Sequence, residues 1–142
     1  MAKLLIVDDE EDVRLSLERR LKRDGHAVQT AASQDEALAT IEATDVPFDV
    51  VLTDMLMESP ASGVEVLILT AYGNVSNAVE CMKMGAFDYV EKNIPGVDVY
   101  ELICIKTEQA VERRRSALST VRRLEQFASF QHARDGKGGV SQ

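Results

Sequence analysis

The chain has 142 residues, 45% of them hydrophobic, and 24 acidic side chains against 16 Lys and Arg give it a net charge of −8. This length and balance suit one well-cored soluble domain with an appendage, and the acidic surplus argues against direct nucleic-acid binding by the main body. No apolar run reaches the length of a membrane span and the first residues lack a leader's basic and apolar regions, so the cytosol is the expected location and no membrane contact is expected.

The first element is the apolar run Lys3-Leu4-Leu5-Ile6-Val7, closed by Asp8 and Asp9. It is short and free of polar interruption, as in a parallel strand buried on both faces. Glu10-Glu11-Asp12 then supplies acids suited to a helix N-terminus, and Val13, Leu17 and Leu21 fall at helical spacing until Asp24-Gly25. A second strand is expected over His26 to Ala31. Ser33 with Glu36 forms a capping box for a helix carrying Ala37, Leu38 and Ile41. Val50-Val51-Leu52-Thr53 is the third strand and ends at Asp54; Val66-Leu67-Ile68-Leu69-Thr70 is the fourth. A helix from Asn74 to Met84 follows, with Val75, Ala78, Val79 and Met82 as its apolar face and Gly85 as its cap. Ala86-Phe87-Asp88-Tyr89-Val90 is the fifth strand and leads to Glu91-Lys92. Alternating strands and helices require an α/β fold with a parallel sheet and right-handed crossovers.

From Val99 the pattern stays helical to about Gln131, without Pro or Gly. Ile103, Ala110, Ala117 and Leu124 recur at heptad spacing with Val121 and Ala128 between them, interrupted by Thr107 and Arg114, so pairing with a second chain is expected. Arg113-Arg114-Arg115 and Arg122-Arg123 read as a solvated helix face, and Arg134 to Gly139 as flexible tail. Cys81 and Cys104 lack metal-ligand spacing and read as reduced thiols; His26 and His132 stand apart from the acids.

The chemistry gathers at strand ends. In an open parallel sheet the carboxyl edge is where ligands bind, and Asp8, Asp9 and Asp54 converging there repel one another unless a hard cation such as Mg2+ neutralises them. Thr70 and Lys92, at the ends of neighbouring strands, face the same pocket. Acids that hold a metal, one acid as nucleophile, and a hydroxyl and an ammonium for phosphoryl oxygens make a set suited to phosphoryl transfer.

Leu5-Ile6-Val7-Asp8-Asp9, Leu52-Thr53-Asp54-Met55, Leu69-Thr70-Ala71-Tyr72-Gly73 and Gly85 to Lys92, in this order, resemble the receiver domain of two-component response regulators. Asn77 to Ala86 is similar to receivers attached to sigma-54-dependent activators. The resemblance covers roughly residues 3 to 115. It implies a flavodoxin-like, doubly wound five-stranded sheet of order 2-1-3-4-5, with a receiver over residues 1–115 and a helical extension with flexible tail over 116–142. It further implies a phosphoprotein: a histidine kinase supplies the phosphoryl group, Asp54 accepts it, Thr70 and Lys92 assist, and Thr70 with Tyr89 forms the switch pair. Asp8, Asp9, Asp54 and a backbone carbonyl near Leu56 would hold Mg2+, and Leu56 and Tyr72 would flank the pocket. Such a module is no enzyme beyond self-catalysed phosphotransfer and dephosphorylation. Its expected role is a relay in signal transduction and transcription regulation, switching a homodimer or a downstream effector domain.

The chain also departs from the family's pattern. Asn93 follows Lys92 where receivers commonly carry Pro. Only Met55 to Gly63 separates Asp54 from the next apolar run, where receivers place a full helix, so the third helix is expected to be shortened or missing. Against the family, Ser62 to Leu67 looks like the start of that helix and Ile68 to Ala71 like a short remnant of the fourth strand; one sheet face would then lose cover, and a lone monomer would be marginal. A second reading, an interaction or dimerisation module that keeps the pocket but no longer switches, follows from the same gap. An aspartate-nucleophile phosphatase is a weaker third, because Leu56 stands where those enzymes carry a second acid.

Overall fold

The computed structural model describes residues 1–54, 64–71 and 75–139, with no side-chain description at 75–77, 130 and 132–139. Five parallel strands lie in the order β2-β1-β3-β4-β5, with β1 Lys3–Val7, β2 Ala27–Ala31, β3 Val50–Thr53, β4 Glu65–Thr70 and β5 Asp88–Glu91. The helices are α1 Glu11–Arg23, α2 Gln34–Ala43, α3 Val75–Lys83 and α4 Val99–Gly139. The doubly wound order anticipated above is therefore the order found.

The central strands are buried on both faces, as their uninterrupted apolar runs require. Leu4, Ile6, Val50, Leu52, Leu67 and Leu69 form one core with Leu17 and Leu21 of α1 and Ile103, Ala110 and Val111 of α4. Leu5, Val7, Val51, Val66 and Ile68 form the other, with Ala37 of α2 and Cys81 of α3. Ser33 caps α2 through the Glu36 N–H at 3.2 Å, while the Glu36 carboxylate accepts from Ala32 N–H at 2.9 Å. Gly85, at φ +89°, turns the chain out of α3 in a conformation that L side chains rarely adopt.

Several expectations need correction. Val64 to Leu67 does not begin a helix: β4 spans Glu65 to Thr70 and pairs with β3 from Val50↔Glu65 to Thr53↔Ile68. The strand is not a short remnant, and its residues turned toward α2 and α3 are not wet. Val64, Val66 and Ile68 are buried, closed over by a cluster that includes Phe48, Cys81 and Ala86, so no exposed apolar sheet destabilises the monomer. The expected gap in the third helix falls on residues 55–63, outside the described residues.

The apolar face of α3 also differs. Among the described side chains of α3, Cys81 is buried in the cluster with Ile68 and Ala86, whereas Val79 and Met82 are exposed. β5 starts at Asp88 rather than Ala86.

α4 departs furthest from its sequence reading. It continues past Gln131 through Arg134 to Gly139, where a flexible tail was expected. Thr107 and Arg114 do not interrupt a seam between two chains. Both are buried against the domain itself, beside Ile103 and Ala110. Of the arginine triplet, Arg113 and Arg115 are exposed as expected and Arg114 alone is buried. Arg114 Nε lies 2.8 Å from Asp49 Oδ1, Arg113 lies 3.4 Å from Glu65 and over the Phe87 ring, and Arg115 donates to the Met1 carbonyl at 3.1 Å. Beyond this clamp the apolar side chains Leu118, Val121, Leu124 and Phe127 are exposed, at 44%, 50%, 63% and 61%. No helix among the described residues is long and apolar enough to cross a membrane.

Candidate functional site

Parallel pairing brings Val7 beside Thr53 and Thr70 beside Glu91, which sets the ends of β1, β3, β4 and β5 along one edge. The residues immediately after these strands are Asp8, Asp54, Ala71 and Lys92. Backbone hydrogen bonds continue the ladder across the edge: Asp8 N–H donates to Ala31 O at 3.1 Å, Asp54 N–H to Val7 O at 3.1 Å and Lys92 N–H to Thr70 O at 2.7 Å. The carboxylates and the ammonium are thus held by the sheet rather than by loop packing.

Asp8 is fully buried. One oxygen, Oδ1, accepts from the Glu10 N–H at 2.9 Å, and Oδ2 lies 2.7 Å from Lys92 Nζ. Its carbonyl accepts from Arg14 Nη1 at 2.6 Å, an anchor that sequence reading missed because Arg14 lies within the first helix pattern. Lys92 is nearly enclosed, and its Nζ stands 3.1 Å from Glu10 Oε1 and 3.9 Å from Asp54 Oδ2. Burial alone would lower the Lys92 pKa; hydrogen bonds and charge from Asp8 and Glu10 outweigh it and hold the ammonium above its ordinary value.

Asp54 is in the opposite condition. Burial, then the charge of Asp8, pushes its carboxyl above the ordinary carboxylate range, with Lys92 only partly compensating. Oδ2 faces the Asp9 N–H at 3.5 Å, and Oδ1 is buried with no hydrogen-bond partner among the described residues. An orphaned carboxylate oxygen beside further acids fits a hard cation. Ligand oxygens of Asp8, Asp9 and Glu10 lie within 4.8 Å of one another, an all-oxygen donor set of the kind Mg2+ or Ca2+ takes. Asp9 is exposed, whereas Asp8 Oδ1 accepts a hydrogen bond and Oδ2, buried without an aligned hydrogen bond, is paired by charge with Lys92 at 2.7 Å, so Asp9 is the acid better placed for direct ligation.

Of the remaining expected residues, Thr70 ends β4 with its carbonyl on Lys92, and Tyr89 is partly buried on β5, packed against the core shared with Ile68 and Cys81. Leu56 and Tyr72 lie outside the described residues. No peptide bond among the described residues is cis, so the chain passes from Lys92 to Asn93 in the trans form. The cysteines take no part: burial raises the thiol pKa of Cys81 and of Cys104.

This geometry belongs with a recognisable set of proteins. Residues 4–103 match the family described as the response regulator receiver domain. The chain is a member of that family. The receiver is 39% identical over 119 residues to the transcriptional regulatory protein FixJ of Rhizobium meliloti (strain 1021), a match covering 75% of this chain and 57% of FixJ. It therefore spans little more than half the length of that relative. A receiver domain protein from Clostridium thermocellum superimposes with a TM-score of 0.68 at 29% identity, covering 82% of this chain and 99% of the other. The beryllofluoride-activated NtrC4 receiver domain dimer does so with a TM-score of 0.67 at 27% identity, covering 80% and 99%. This receiver accordingly belongs to two-component signalling, and its likeness extends over the whole of those solved receivers.

Proposed function

We propose that Asp54 is the phosphoacceptor of this receiver and that a histidine kinase in the cytoplasm is its donor. The observation that supports the assignment is the position of Asp54: a strand-end carboxylate with one buried orphaned oxygen, next to the Asp8–Asp9 pair and within reach of the Lys92 ammonium. Its oxygen attacks phosphorus in line, the bond to the donor nitrogen breaks, and an acyl phosphate forms. Lys92 and Thr70 take phosphoryl oxygens, and Tyr89 follows Thr70 as the switch. Asp9 directly, Asp8 directly or through water, Asp54 and a carbonyl near Leu56 would hold Mg2+, which would supply charge neutralisation in the pocket. The chain acts on itself and turns over no separate substrate.

Output passes to assembly and to transcription. FixJ is a transcriptional regulatory protein, and the NtrC4 receiver is a beryllofluoride-activated dimer; both support the same course here. In this chain the segment of α4 beyond Arg115 offers the surface for a second copy, because Ala117, Val121, Leu124 and Ala128 continue the stripe that Ile103 and Ala110 bury in the domain. A downstream effector domain would receive the change.

Labelling with acetyl phosphate tests the acceptor. Asp54→Asn abolishes the acid-labile label, while Asp45→Asn, an exposed acid after α2, keeps it. Undiminished labelling of the Asp54 variant removes the assignment, and labelling that leaves both the solution mass and the amide exchange of β5 and α4 unchanged favours the non-switching module.

A further inference from the structure

We propose that Glu10 is a positioning residue that tethers Lys92 on the metal side of the pocket and must release it before the ammonium can serve a phosphoryl group on Asp54. The inference rests on Asp54 as phosphoacceptor and adds a residue that this reading does not use. Glu10 occupies the N-cap of α1, where an acidic side chain ordinarily accepts from the backbone N–H groups of the first turn, yet it makes no side-chain cap hydrogen bond. Its carboxylate instead reaches across the pocket to Lys92, at 3.1 Å. The ammonium is thereby 2.7 Å from Asp8 and 3.1 Å from Glu10, but 3.9 Å from Asp54, beyond a hydrogen bond, and Asp54 Oδ1 has no hydrogen-bond partner among the described residues.

The two tethers differ in kind. Asp8 is fully buried and held at its other oxygen by the Glu10 N–H, so its contact with Lys92 is part of the scaffold. The Glu10 side chain is 56% exposed, so water can replace Lys92 as its partner and its contact is the one that yields. A phosphoryl group on Asp54 brings oxygens that compete for the same ammonium protons. The strength of the Glu10 contact then sets how much of the phosphoryl interaction is spent in drawing Lys92 across. Glu10 also adds negative charge beside the cation site, so removal of its charge acts on Mg2+ in the opposite direction.

The test uses the full chain and beryllofluoride as the phosphoryl mimic at saturating Mg2+, read by 19F resonances and calorimetry. Glu10→Gln is expected to tighten beryllofluoride binding by about three-fold, the range of an exposed ion pair, and to weaken Mg2+ by a similar factor. Glu10→Asp keeps the charge but is one methylene too short to reach Lys92. It is expected to match Glu10→Gln toward beryllofluoride and the wild type toward Mg2+, a split that a general effect on folding does not produce. Unchanged or weaker beryllofluoride binding in both variants overturns the tether. A wild-type chain that binds no beryllofluoride, and behaves as Asp54→Asn does, overturns the phosphoacceptor reading and the tether with it.

Discussion

At the scale of single residues, the site is a balance between acids that repel and a lysine too few to satisfy them. Asp8 and Glu10 hold the Lys92 ammonium closer than Asp54 does, and Asp54 has its pKa raised by burial and then by Asp8. A carboxyl with a raised folded pKa binds its proton more tightly in the native state than in the unfolded chain, so its contribution to stability is present below the unfolded pKa and is lost as pH rises through the folded value. Without Mg2+, Asp54→Asn should therefore melt a few degrees above the wild type at pH 7, and the gap should close as pH falls below the ordinary carboxylate range. A variant no more stable than wild type at pH 7 would show that Asp54 is not strained. Mg2+ favours the ionised form, so its affinity for the wild type should decline as pH falls into the raised range of Asp54, with proton release on binding. Asp9→Ala should weaken Mg2+ more than Asp8→Ala, because Asp8 already has one oxygen hydrogen-bonded and the other paired by charge with Lys92; equal losses in calorimetric titration would contradict the division. The acids and Lys92 were readable as a set because each lies at the carboxyl end of a strand. Glu10 was not: within Asp8 to Asp12 every residue is acidic, and a helix N-terminus explains such a run without reference to Lys92.

Elements were legible where one face is apolar and the other is not. α1 and the Ser33 cap of α2 lie where the spacing of Val13, Leu17 and Leu21 and the capping box place them. α3 was misread because two adjacent stripes are both apolar, and only packing against Ile68 and Ala86 chooses Cys81 over Val79 and Met82. In α4 the heptad reading found the right stripe but the wrong partner: Ile103, Thr107, Ala110 and Arg114 face the sheet of the same chain. A buried arginine at such a position is invisible to a periodicity argument until its acid is found, and Asp49 lies far away in sequence, where it also accepts the Lys3 N–H at 2.8 Å. The clamp has an energetic consequence. Arg114→Ala leaves the Asp49 carboxylate half-paired under α4 and should cost about 2 kcal/mol in urea unfolding, whereas exposed Arg122→Ala should stay within about 0.5 kcal/mol. Equal, small effects for both would mean that Arg113 and Arg115 hold the helix without Arg114.

For the whole molecule, the question is what becomes of the helix once it leaves the domain. Residues 116–139 at about 1.5 Å each reach roughly 35 Å past the Arg115 contact, and a helix there lacks the tertiary packing of an amphipathic face that supplies most helical stability. Its terminal stretch carries Gly136, Gly138 and Gly139, each about 1 kcal/mol worse than alanine in a helix, so these turns are the weakest part. Leu118, Val121, Leu124 and Phe127 are about half exposed, and covering the remainder of each is worth about 1 kcal/mol, which summed over four side chains in each of two chains favours pairing. The sheet supplies no such motive, since the faces of β3 and β4 are buried, and Ala110 supplies none, since it lies in the core. The dimer interface is thus expected beyond Arg115 rather than from Ala110 onward. Light scattering should give a dimer for the full chain and a monomer, still cooperatively folded, for a version ending at Arg115. Val121→Glu with Leu124→Glu should dissociate the full chain without changing the melt of its domain. A monomeric full chain refutes the pairing, and a dimer that survives both truncation and the double substitution moves the interface to the domain, where exposed Val79 and Met82 of α3 are the next surface to substitute.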